Sequence, residues 1–186
     1  MKKLKDFIEQ LDRAVSGDPS TGCCEKIKNI LSNVVSRQEL ELDPSFLMPV
    51  AGGYARRLLH KDPGDRYEVR VMVWDKMQGT ALHDHAGLWC VECVYQGTIR
   101  VTSFSKTTDA SQSAVFEFRK QREVIAQSAD AGALIPPFDY HTIDNPFSEP
   151  AVTLHVYGGG MNWCNVFEPI GNGKYRQVRR ELKDTE

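Results

Sequence analysis

From residue 54 onwards this chain repeats one strong constraint, a strict two-residue alternation in short runs. In Tyr67-Glu-Val-Arg-Val-Met-Val-Trp74 the apolar Tyr67, Val69, Val71 and Val73 occupy every second position, and similar runs recur at Thr98–Phe104, Ala114–Phe118 and Ala151–Tyr157. Successive side chains of an extended chain point to opposite faces, so this period predicts strands with two chemically distinct sides. Turn signals separate the runs at Asp62-Pro-Gly64, Gln78-Gly79, Gln96-Gly97, Asn145-Pro146 and Gly171-Asn-Gly173. Many short strands joined by tight turns fit a mainly β fold, an antiparallel double-sheet barrel of the jelly-roll kind.

The first forty residues follow a different period. Leu4, Phe7, Ile8, Leu11, Ala14 and Val15 recur at three and four, as do Ile27, Ile30, Leu31, Val34 and Val35. Each set draws one apolar stripe on a helix. Gly17-Asp18-Pro19 is expected to end the first helix and start the second, with Asp18 as N-cap and Pro19 at the first helical position. Both helices are expected to pack outside the barrel. With 186 residues, 41% hydrophobic and 26% charged, the chain can enclose a core without staples. We read 1–186 as a single domain, with a helical part over 1–45 and the barrel over 50–170.

Charge and cysteine usage exclude several classes of function. A net charge of -2 argues against binding nucleic acid, which calls for a clear excess of Lys and Arg. Arg176, Arg179 and Arg180 are followed by Glu181, Asp184 and Glu186, so they read as a solvated face. No apolar run approaches the roughly 18 residues of a membrane span, and the N-terminus is amphipathic rather than signal-like. Five cysteines without a secretory signal indicate a reducing compartment, so a cytoplasmic protein without a membrane partner is expected, as a monomer or weak oligomer. Cys90 and Cys93 lie three apart on a strand and should face opposite sides, which argues against a zinc knuckle.

The chemistry centres on His83 and His85. Two histidines two apart on an extended segment share a face, about 7 Å apart along it, and can close on one metal ion. A pair of this kind also arises incidentally, so a third donor decides the matter. Of the remaining histidines, His141 follows the Pro136-Pro137 turn and opens a further strand, which makes a three-histidine site plausible. Thr153, His155 and Tyr157 lie two apart and share one face; turned inward, they would form a row beside the metal.

His83-x-His85 with Gly97 beyond it, then Pro136, His141 and Asn145, resembles the paired motifs of the cupin superfamily, small β-barrels that hold one metal. The glutamate that many cupins carry at the position of Trp89 or Cys90 is missing, which leaves three histidines. Tyr54-Ala-Arg56, His83-Asp84-His85, Cys90, Gly97, His141 and Thr153-Leu-His155-Val-Tyr157 together resemble the cysteine dioxygenase family, over residues 50 to 168.

That resemblance implies a cupin barrel with helices outside and Fe(II) held by His83, His85 and His141. It implies O2 and a small thiol, L-cysteine, as the substrates and a sulfinate as the product. It assigns Arg56, supported by Tyr54, to the substrate carboxylate, and Tyr157, His155, Thr153 and Cys90 to the catalytic row. It also implies a Cys90–Tyr157 thioether. The chain departs from the animal pattern in three places: Thr153 replaces a serine, Trp89 a histidine, and Gly158-Gly159-Gly160 a Ser-Pro-Pro run. Two alternatives are a dioxygenase of 3-mercaptopropionate or another small thiol-carboxylate, and a non-catalytic metal-binding cupin that binds or senses a small acid.

Overall fold

A computed structural model describes residues 2–16, 21–107 and 115–185. Among the described residues, two helices, α1 (Lys2–Val15) and α2 (Thr21–Ser36), precede a 3-10 turn at Pro44–Leu47 and eleven strands. These are β1 (Ala55–Lys61), β2 (Glu68–Trp74), β3 (Leu82–His83), β4 (Cys90–Gln96), β5 (Thr98–Lys106) and β6 (Val115–Gln127), then β7 (Ala131–Leu134), β8 (His141–Asp144), β9 (Ala151–Tyr157), β10 (Trp163–Gly171) and β11 (Lys174–Glu181). The cap and start expected at Asp18 and Pro19 lie outside the described residues, as does Ala114.

All pairings among the described residues are antiparallel. One sheet runs β1-β2-β9-β4-β7; the other six strands, β10-β11-β6-β5-β8-β3, close on themselves through the β3–β10 pairing. Together they form the expected double-stranded barrel. Gly171, Asn172 and Gly173 turn the β10–β11 hairpin with φ of 96°, 52° and 71°, a left-handed run that glycine and asparagine tolerate.

The two faces predicted by alternation have unusual surroundings, because every residue of β2 and β9 is buried. Val69, Val71, Val73, Val91, Val152, Leu154 and Val156 point outward into a core completed by Phe7, Leu11, Ile27 and Leu31 of the helices. The intervening Glu68, Arg70, Thr153, His155 and Tyr157 point into the barrel. Burying each valine or leucine outside contributes about 1.5–3 kcal/mol, so the helix layer supplies much of the hydrophobic stabilisation. The interior holds the polar row beside a second apolar cluster that includes Met72, Trp74, Ile99, Ile143 and Met161.

Candidate metal centre

The histidines converge through a short strand. β3 is only two residues long, and His85 lies beyond it, just before a turn in which Ala86 and Gly87 adopt φ of 54° and 84°. Asp84 faces away from the imidazoles and pins that turn, accepting from the Ala86 and Asn165 amides at 3.0 Å and from Asn165 Nδ2 at 2.8 Å. His141 opens β8 directly opposite His83. The donor atoms of His83, His85 and His141 all lie within 4.8 Å of one another, a group that could hold one metal ion.

Each ring is also held in one tautomer. Nδ1 of His83 meets the Ala81 carbonyl at 3.0 Å, Nδ1 of His141 the Asp139 carbonyl at 2.9 Å, and Nδ1 of His85 the Asp139 carboxylate at 3.2 Å. These partners accept only, so Nδ1 carries the proton and Nε2 keeps its lone pair for a cation. Burial and the neighbouring His85 hold His83 down to about 3, and burial with His83 and His85 keeps His141 well below its usual range. Neutral imidazole is the form that binds metal. Burial opposes ionisation of Asp139, yet hydrogen bonds from His85 hold its carboxyl below the usual range.

Beside the histidines stands the row on β9. Trp74 Nε1 donates to Thr153 Oγ1 at 2.8 Å, and Oγ1 lies 2.7 Å from His155 Nε2. Trp74 can only donate, so the threonine hydroxyl is free to donate to His155 Nε2, which places the remaining His155 proton on Nδ1. His155 and Tyr157 stack at 5.9 Å between ring centroids and 14° between planes. On β4, Cys90 sits directly opposite Tyr157 and Glu92 directly opposite His155. Burial, followed by Cys90, pushes the Tyr157 hydroxyl up; burial, followed by Glu92, does the same to the Cys90 thiol. Burial alone pushes the Glu92 carboxyl up to about 8. Cys93 is buried on the helix side of the sheet.

Tyr54, Arg56, His155, Tyr157 and the three histidines line one cavity of about 80 Å³ of free space. Arg56 is 3% exposed, and its fork is already engaged. Nη1 donates to Asp184 at 2.7 Å, Nη2 donates to the Met161 carbonyl, and Glu68 lies 3.6 Å from Nη2. Arg70 bridges the same Glu68 and Asp184. Arg180, read from the sequence as part of a solvated face, borders this cavity and has no ion pair among the described residues. Asp139, Glu92 and Arg180 belong to the site but were not expected there. A glutamate set among the apolar residues of Cys90–Val94, in phase with Cys90, was the available signal for one of them.

Two of the sequence departures are one structural adjustment. A Cβ on Gly158 would fall inside the Trp89 indole, while the Gly158 amide donates to the Trp89 carbonyl at 3.0 Å. Gly158 is outside the left-handed region, so the indole alone demands glycine. Gly158→Ser is expected to cost about 1–3 kcal/mol. Combined with Trp89→His it should cost less than the two changes separately, by at least about 0.5 kcal/mol in a urea-denaturation cycle. Strict additivity would show that the indole does not set this position.

Comparison with known proteins is consistent with these features. The family model for cysteine dioxygenase type I matches residues 45–169. Cysteine dioxygenase type 1 of Homo sapiens is 25% identical over 172 residues, covering 90% of this chain and 80% of the human one. That of Danio rerio is 23% identical over 170 residues, covering 89% and 79%. Among solved structures, TT1209 from Thermus thermophilus superposes with a TM-score of 0.50 at 15% identity, over 64% of this chain and 96% of that one. An uncharacterized conserved protein with a double-stranded β-helix domain from Klebsiella pneumoniae gives 0.50 at 15% identity, over 67% and 88%. The structural likenesses establish the fold, and the family match, spanning more than half of the residues, establishes that the chain belongs to the cysteine dioxygenase type I family.

Proposed function

We propose that this protein is an iron(II)-dependent thiol dioxygenase that oxidises L-cysteine with O2 to cysteine sulfinate, both oxygen atoms passing to sulfur. The supporting observation is the convergence of three neutral imidazoles, each offering Nε2 to one small cavity, in a chain of this family. The donor set fits a first-row cation with open positions. A ferrous ion held by His83, His85 and His141 would coordinate the thiolate and activate O2.

The remaining work falls to the chain itself. Tyr157, whose burial keeps its hydroxyl protonated, offers a hydrogen bond to the bound substrate, and the Trp74–Thr153–His155 series orients the ring stacked on it. Arg56 and Arg180 supply positive charge along the same cavity for a substrate carboxylate. The small free volume favours a substrate of few heavy atoms. Cys90 and Tyr157, directly cross-strand, are in the register that a thioether between them requires. All five cysteines are free and buried, which fits a reducing compartment, and we assign the protein to the cytoplasm.

The test is oxygen uptake by protein loaded anaerobically with iron, offered L-cysteine and 3-mercaptopropionate in parallel, with products identified by mass spectrometry. Faster turnover of L-cysteine with a gain of two oxygen atoms is expected. Preference for 3-mercaptopropionate would overturn the substrate assignment, and no uptake with either thiol would overturn the reaction.

A further inference from the structure

We propose that Glu92 is a fourth member of the metal centre, a carboxylate carried by β4 that faces the three-histidine site from inside the barrel and lowers its net charge. This rests on the metal centre of the proposed function, although not on its thiol or oxygen chemistry. Glu92 is 7% exposed, and its Oε2 is fully buried without a hydrogen-bond partner. That oxygen lies 4.0 Å from His141 Nε2 and 3.7 Å from His155 Nδ1.

The identity of those nitrogens carries the argument. His141 gives its Nδ1 proton to the Asp139 carbonyl, so its Nε2 is a bare lone pair. An ionised carboxylate there would face this lone pair across 4.0 Å as a second acceptor with no donor between them, the arrangement a cation resolves. His155 Nδ1–H faces the same carboxylate, but at 3.7 Å it is too far for a hydrogen bond. Among the described residues no lysine or arginine pairs with Glu92. A carboxylate held in this way is costly unless a counter-charge lies beside it. A divalent cation bound by Nε2 of the three histidines supplies that charge, whether the carboxylate binds it directly or through a bound water. The sequence motif that usually carries a cupin glutamate is empty in this chain; the carboxylate arrives instead from the next inward positions of β4.

The experiment uses the full chain, stripped of metal, with Co(II) as the probe and neither thiol nor oxygen present. Wild type, Glu92→Gln and Glu92→Asp are titrated against a competing chelator, and the Co(II) visible absorption and the metal-free melting temperature are recorded. Glu92→Gln is expected to weaken Co(II) binding by about tenfold or more, to alter the absorption spectrum, and to leave the metal-free melting temperature equal to or above that of wild type. Glu92→Asp, which keeps the charge on a shorter arm, should bind Co(II) between the two. Unchanged affinity and spectrum in Glu92→Gln would overturn the proposal. If Glu92→Gln does not fold, Glu92→Asp decides: an altered Co(II) spectrum supports the assignment and a wild-type spectrum overturns it. Failure of the dioxygenase reading would show in oxygen uptake and would leave this measurement intact.

Discussion

His141→Ala is expected to lose metal binding by more than about 100-fold and, with it, all thiol-dependent oxygen uptake. Replacing even the outer partners of a metal ligand costs about 10–100-fold, and removing a ligand should exceed that. His141 is the informative choice because it is 1% exposed, enters from a different strand than His83 and His85, and is fixed through Nδ1 by the Asp139 backbone. Without it, two imidazoles on one short segment remain, with only the Glu92 carboxylate beside them, which leaves a cation weakly held. Metal content after anaerobic reconstitution checks the outcome, with circular dichroism of the metal-free variant confirming the fold. An iron-replete, active variant would remove His141 from the ligand set.

Arg56→Gln is expected to lose about 1–3 kcal/mol of stability and to raise the KM for L-cysteine more than that for cysteamine, which lacks the carboxylate. The stability loss comes from the Met161 carbonyl, which loses its Arg56 donor, and from a thinner cation shell around Glu68, which is 2% exposed and keeps Arg70 and the Met161 amide as partners. The half-exposed Asp184 contributes less, because solvent screens it. Asp184→Asn separates the two roles. It removes the internal carboxylate from the Arg56 fork, so it should lower the KM for L-cysteine while leaving cysteamine unchanged. Equal changes for both thiols in Arg56→Gln would reduce Arg56 to a structural ion pair. Chemical denaturation and steady-state kinetics on both thiols make these comparisons.

Strand existence and helix stripes were legible because burial wrote them into the sequence. Tyr67–Trp74 and Ala151–Tyr157 alternate since one face meets the helices and the other meets the cavity. The histidines were legible through scarcity, with five in the chain and a pair at strand spacing. By contrast, Val115–Gln127 is a 13-residue strand whose middle, including Arg119, Lys120 and Arg122, is exposed. Its ladder to β5 is set by backbone hydrogen bonds, which leave no hydrophobic signature. The engagement of Arg56 by Asp184 joins residues 128 apart, beyond the reach of any local pattern. Asp139 supports His85 and Glu92 faces His141 for the same reason, across strands rather than along them.

The placement of the greasy layer outside the barrel wall, beneath the helices, has a consequence for how such a protein can change. The positions that keep the chain folded and the positions that meet the ligand alternate along the same strands, yet they belong to separate cores. Mutations at 92, 153 or 155 can therefore retune reactivity without dismantling the valine and leucine ladder one residue away, whereas Glu68 and Arg70 are tied into a buried ion-pair network and Tyr157 packs in the interior apolar cluster. A combinatorial library confined to positions 92, 153 and 155 should stay folded far more often than one of equal size drawn from their immediate neighbours.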